Sequence, residues 1–416
     1  MKHFRFDPPA LELTSELRWM LLRGFGPSDR EAPRRVDTAE VLRLANRFDL
    51  SARIGARCGR ELLGRELGQA VAAEFLSVSR RAAAGALAIE ATAKEIASVA
   101  AGMRLPVVFL KFAGLHLAGI TKLGSRRACD LDVLTRGERA EELAAALTAR
   151  GWHTMDVPEC EHQLKPLVHS KSSMVEVHRL VLGVRPSGKG SATAQGLIAA
   201  GRTVRLPALP GEASVPDREI LCAHALVHGI AQHGLAPVSY PMMRLVADLQ
   251  DLGGGDPADL IGRARTLVAR DVTPVEAGAA QRLCARLSCG DLPADLSGGA
   301  PDILLLRHIL AGMVEPAYED SLKVVSLGSV PTDRGKISAA IHVAAGALWM
   351  TRGQVDTVYG RPASPSGYLW RRVARPFDLV RRAVRYGISA RKVRKVRSKN
   401  AKLGTRIAEP GVRSKE

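Results

Sequence analysis

The sequence predicts an α+β chain in which a small β-rich unit sits between two helical lobes, and three observations predict it. Residues 10–104 carry apolar side chains at helical spacing and end in an Ala-rich, alternately charged stretch from Ser79 to Met103. Residues 105–212 break into short β-branched runs, at 106–110, 130–134 and 173–178. Helical spacing then returns over 216–350. Runs of period two bracketed by runs of period 3.6 place a sheet between helices.

In chain order, 11–23 reads as a first helix with Thr14 or Ser15 as its cap, and 24–33 as a loop. Asp37-Thr38-Ala39-Glu40 has a capping residue followed three positions later by an acid, the signature of a helix start, and that helix runs through Asn46. Val107-Val108-Phe109-Leu110-Lys111 is a strand ending in a cation, and Ala113-Gly114 opens a short helix over 115–120. A strand at 130–134, a helix at 137–150, strands at 151–156 and 163–169 and a final strand at 173–178 complete the unit. The Pro/Gly-rich stretches 185–190 and 206–211 mark a loop and a boundary. Helices follow at 217–234, 242–252, 256–287 and 301–314. The expected domains are a helical lobe at 1–104, an α/β core at 105–212, a second helical lobe at 213–350, and a linker with a basic tail at 351–416.

Composition narrows the function classes. Six scattered cysteines without a Cys-x-x-Cys pair fit a reducing cytoplasm better than a disulfide scaffold. The first residues lack the apolar core of a signal peptide, and no uninterrupted apolar stretch approaches the roughly 20 residues that span a bilayer. The expectation is a soluble cytoplasmic protein. The net charge of +18 is unevenly placed: residues 371–416 hold 16 Lys/Arg against 3 Asp/Glu, a net +13, which leaves +5 for the body.

The chemistry concentrates at Asp130-Leu131-Asp132. Alternation along a strand puts both carboxylates on one face, where like charges raise one another's pKa unless a cation sits between them. Mg²⁺ suits such a pair, because it prefers carboxylate oxygens and completes its shell with water and phosphate oxygens. A bare Asp-x-Asp is more often a solvated strand face. Here Glu176 alternates with valines on a second strand, and three carboxylates on adjacent strands make a site for one or two divalent ions and a triphosphate.

Leu110-Lys111, Arg126 four residues before Asp130, the Asp130-x-Asp132 pair and Val175-Glu176-Val177-His178 together resemble the DNA polymerase β-like nucleotidyltransferase superfamily, in particular its bacterial branch of nucleotidyltransferase family proteins. The likeness extends less sharply over residues 12–250. It implies a small mixed β-sheet nucleotidyltransferase core, with Asp130, Asp132 and Glu176 as catalytic and metal-binding acids. It further implies Lys111, Gly114, Arg126 and His178 as nucleotide contacts, with His178 orienting Glu176. The implied reaction moves an NMP group from a Mg²⁺-bound NTP to a hydroxyl acceptor. One departure is Phe112, which stands where the family has a glycine after the lysine, and glycine lets backbone approach a phosphate. Gly124-Ser125 is too close to Asp130 to be a phosphate loop and reads as a turn.

Two features lie outside that core. His224 and His228 share a helix face, but no Glu follows the first histidine as a metalloprotease helix requires, so they are expected to line a pocket and to bind no structural zinc. In the tail, Trp370, Val373, Phe377, Val380 and Val384 form an apolar stripe flanked by arginines, expected to dock on the body. Residues 388–416 have no such stripe and are expected to contact polyanions or the anionic inner face of a membrane through charge alone. The rival reading of the whole chain is a binding protein for nucleic acid or anionic membrane on a weakened transferase fold.

Overall fold

A computed structural model describes residues 11–314 except 129, 156–161, 171, 187–189, 233–241 and 255, together with parts of 364–377. The chain is α+β, with a mixed seven-stranded sheet among these residues. The capping chemistry lands where the sequence places it. Thr14 accepts the Leu17 amide at the start of α1 (Ser15–Phe25), and Asp37 accepts those of Ala39 and Glu40 at the start of α2 (Thr38–Arg47). Each cap satisfies amides that have no partner inside their own helix. Helix α3 (Ser51–Leu67) bends at Gly59, and α4 (Gln69–Gly102) begins ten residues earlier than the Ala-rich stretch suggests.

The sheet unit opens with β1 (Val107–Phe109), α5 (Lys111–Leu117), β2 (Asp130–Leu134) and α6 (Ala140–Thr148). It continues through β3 (His153–Thr154), β4 (Leu167–Val168), β5 (Met174–His178), α7 (Ala194–Ala199), β6 (Thr203–Arg205) and β7 (Ala213–Pro216). Strand order is β3-β4-β5-β2-β1-β7-β6, so the Asp130–Asp132 strand lies at the centre. It runs parallel to β5 and antiparallel to β1. The stretch 206–211 is the turn that folds β6 back onto β7, and the sheet therefore runs on to Pro216.

Alternation then sorts the two central strands by face. Leu131, Val133, Val175 and Val177 are fully buried in a core shared with α4 and α6. Burying each contributes on the order of 1.5–3 kcal/mol. The intervening Asp130, Asp132, Glu176 and His178 are turned to the opposite face by the same geometry.

That opposite face is covered by the helical remainder: α8 (Arg218–Leu226), its π-helical continuation Val227–Gln232, α9 (Met242–Gly253), α10 (Pro257–Ala264), α11 (Pro274–Ser288) and α12 (Pro301–Val314). Helices α1 to α3 share one apolar core with α8 to α12, in which Trp19, Phe48, Leu245 and Leu283 are all buried. Arg53 of α3 ties the two helical regions together at 2.8 Å from Asp251 of α9. No helix among the described residues is long and apolar enough to cross a membrane.

The tail corrects one expectation. Leu369, Trp370, Val373 and Phe377 are exposed rather than docked on the body. The remaining stripe positions and residues 388–416 lie outside the described residues.

Candidate functional site

The exposed face of β2 and β5 forms the floor of a cavity of about 460 Å³, roofed by α5, α8 and α9. Parallel register sets Asp132 beside Glu176 and Leu134 beside His178. Three ligand-type atoms, one each from Asp132, Glu176 and His178, lie within 4.8 Å of one another. Asp130 also lines the cavity, one step along the strand.

The two aspartates occupy opposite electrostatic situations. Asp132 is 2% exposed, and its Oδ1 lies 2.6 Å from Lys111 Nζ and 2.8 Å from His178 Nε2, which donates to it. Burial favours its neutral acid, but Lys111 and the His178 hydrogen bond hold its carboxyl well below the usual range. Asp130 goes the other way: burial, and then the charge of Asp132, raise it. The repulsion expected of both acids thus falls on one, because Lys111 is the cation that sits beside the other.

Lys111 reaches that position through strained backbone. Its φ of 46° lies in the left-handed region at the junction of β1 and α5, a conformation costly for a residue with a Cβ. Its ammonium is 3.7 Å from Glu176 Oε2 as well. Burial alone would lower Lys111, yet Asp132 and Glu176 lift it to about 12. His178 behaves likewise: burial lowers the imidazole, and the two carboxylates more than restore it. The histidine was expected to orient Glu176. It instead bonds Asp132 and stands 3.8 Å from Glu176, because two residues further along β5 its ring reaches diagonally back across the strands.

Phe112 faces core and cavity at once. It is 5% exposed within the core behind the sheet, stacks on His116, and carries the Arg126 guanidinium 4.9 Å from its ring centroid. The left-handed turn falls on Lys111, so residue 112 has no conformational need for glycine. Gly114 does: a Cβ there would meet the Phe109 carbonyl oxygen at 2.6 Å, so it lets α5 close against β1. It is absent from the cavity lining, whereas Lys111 and Arg126 belong to it.

Arg126 is held by Asp248 of α9 at 3.1 Å. Arg244, one turn earlier on that helix, pairs with Asp49, which also takes Arg127 and has φ 58°. This network links the turn between α2 and α3, the 126–127 segment and α9 around the cavity. The i, i+4 spacing of Arg244 and Asp248 marks one helix face, but nothing local in the sequence connects it to Asp49, 195 residues away.

His224 and His228 line the cavity with their rings 6.0 Å apart and edge to face. The cavity also takes in His162 and Gln163, which carry no pattern in the sequence, and Gln232. Burial lowers His162 and His224 to about 3 each, helped by the charges of His178 and Lys111 respectively. Gly124 and Ser125 form a turn against α4, where Ser79 Oγ donates to the Gly124 carbonyl.

Residues 34–252 match a protein family described as uncharacterised nucleotidyltransferase. No curated protein and no solved structure matches the chain. The match spans the sheet, the acidic floor and the roof helices α5, α8 and α9 as far as Leu252.

Proposed function

The chain belongs to that nucleotidyltransferase family, and on this premise we propose that it transfers an NMP group from a Mg²⁺-bound NTP to a hydroxyl of a small acceptor. The observation that carries the reading is the convergence of Asp132, Glu176 and His178, with Asp130 beside them, on the floor of a cavity that also presents Lys111 and Arg126. The donor set fits Mg²⁺: carboxylate oxygens predominate, and the Lys111 ammonium already lies against the Asp132 and Glu176 pair. Asp130, Asp132 and Glu176 would hold the metal, which when bound supplies charge stabilisation at the phosphates.

The chain's own residues supply the rest. Lys111 and Arg126 offer the cationic contacts for phosphate oxygens; Arg126 is kept in place by Phe112 beneath it and Asp248 beside it. His178 fixes the orientation of Asp132. The acceptor oxygen bonds to the α-phosphorus, the bond from that phosphorus to the β-phosphate bridge breaks, and pyrophosphate leaves. The hydroxyl proton passes to Asp130 or Glu176, because Asp132 is committed to Lys111 and His178. Positioning and preorganised charge provide most of such catalysis.

Thermal melts with Mg²⁺ and each NTP test this reading. The wild type should be stabilised by at least one Mg·NTP pair, and Asp130→Asn and Glu176→Gln should lose that shift. If both variants keep it in full, the assignment of the acids is wrong.

A further inference from the structure

We propose that the cavity wall built by α8 and its π-helical continuation is the acceptor subsite, and that it takes a small uncharged molecule rich in hydroxyl groups, a polyol or simple sugar. The proposal rests on the nucleotidyl-transfer reading and names the other substrate.

Most charges of the cavity are already matched. Lys111 lies against Asp132 and Glu176, and His178 donates to Asp132. Arg126 meets Asp248 and Arg244 meets Asp49, while burial and the charge of Asp132 raise Asp130 towards its neutral acid. The polar groups left on the wall are His162, Gln163, His224, His228 and Gln232, with leucines between them. A polyamine entering this space would find Asp132, Glu176 and Asp248 already facing cations, and a phosphorylated acceptor would have to share Lys111 and Arg126 with the nucleotide. A buried charge without a partner is strongly disfavoured. Imidazoles and carboxamides instead offer donors and acceptors in the mixture that hydroxyl groups match.

His224 points to a ligand independently. It is 5% exposed, and its Nδ1 is buried with no hydrogen-bond partner among the described residues. Leaving such a nitrogen unsatisfied is costly unless something enters to meet it. The helix carrying it also departs from α-geometry at this point, widening into the π-helix Val227–Gln232 that bears His228 and Gln232. Such irregularities concentrate at functional sites. Gly229 lets the widened segment press on α9, since a Cβ there would meet the Leu245 side chain at 2.9 Å.

The position ties the wall to the acids: His224 lines the same cavity as Lys111, Asp130, Asp132, Glu176 and His178.

The test uses the full chain with Mg²⁺ and a non-hydrolysable NTP analogue. Calorimetric titration with glycerol, inositol and glucose is compared with spermidine and glucose 6-phosphate. A neutral probe should bind saturably and more tightly than either charged one. His224→Leu should weaken that binding by about tenfold, the cost of one lost buried hydrogen bond, and leave the affinity for the analogue within about twofold. His224→Asn, which returns an amide near the Nδ1 position, should recover most of the loss. If His224→Leu does not fold, Gln232→Leu takes its place with the same expected selectivity. Tighter binding of spermidine or glucose 6-phosphate, or no binding of any neutral probe, overturns the proposal. A loss that falls on the analogue instead makes the wall a nucleobase site and also overturns it. If the analogue fails to bind while a neutral probe still does, the subsite stands and the transfer reading falls.

Discussion

The floor and the wall of the cavity are built from opposite materials. On the floor, β2 and β5 bring ionised groups together, and Asp132, Glu176 and His178 are each stabilised by an opposite charge within a few ångströms. On the wall, α8 presents the His224 imidazole, which burial keeps neutral and whose Nδ1 has no hydrogen-bond partner among the described residues. The floor is balanced internally and needs its ligands to compete for charges already engaged. The wall is incomplete until something hydrogen-bonds to it. Buried ion pairs and buried neutral polar groups thus divide the work, the first for charged phosphates and the second for an uncharged partner.

The largest effect that could break this comparison lies within the floor. Asp132→Asn should destabilise the protein by about 3 kcal/mol, because it strands the buried Lys111 and weakens the hold on His178. Asp130→Asn should change stability by less than about 1 kcal/mol, since it removes a carboxylate whose charge is disfavoured by burial and by Asp132. Urea titrations of both variants without Mg²⁺ make the measurement. Equal costs would mean that the aspartates are not electrostatically distinct.

Phe112 joins floor to core and should come next. Phe112→Leu keeps most of the volume and removes the ring under Arg126, so stability should fall by about 1–2 kcal/mol. The same melts would show a smaller Mg·NTP shift than in the wild type. A larger shift would mean that the ring obstructs the phosphates rather than supporting the guanidinium.

The mildest probe addresses the neutral histidines through pH. His224 and His308 each have a folded pKa depressed to about 3 by burial, so the unfolded chain takes up their protons first as pH falls below the ordinary 6.5. Stability should therefore be full above pH 6.5 and decline towards pH 3. Each neutral histidine contributes up to about 1.4 kcal/mol per pH unit within that window. His224→Leu and His308→Leu should each flatten the acid limb by about one proton, with only the former touching the cavity. Unchanged slopes would show that these imidazoles are protonated in the folded state.

How much of this was legible beforehand depends on the distance over which each feature is specified. The acids on β2 and β5 were readable because period-two alternation with Leu131, Val133, Val175 and Val177 assigns faces from neighbouring residues alone. The caps at Thr14 and Asp37 were readable for the same reason. Strands β6 and β7 were not: three or four residues around a Pro/Gly-rich turn carry too little pattern, and the pairing of β7 with β1 and of β6 with β7 supplies the rest. Lys111 was visible as a strand-end cation, but not its insertion between Asp132 and Glu176, which needs the left-handed backbone and the parallel register together.

The sequence by itself determined the class of fold and the strand face that bears the acids, because these follow from local periodicity and side-chain chemistry. The tertiary structure alone decided which charges meet: Lys111 and His178 on Asp132, Asp248 on Arg126, Asp49 on Arg127 and Arg244. It also decided that His224 would line the same cavity, buried and neutral, with an Nδ1 that has no hydrogen-bond partner among the described residues. Ion pairing and desolvation depend on separations of a few ångströms between segments as many as 195 residues apart. Only packing the helices over the sheet sets those separations.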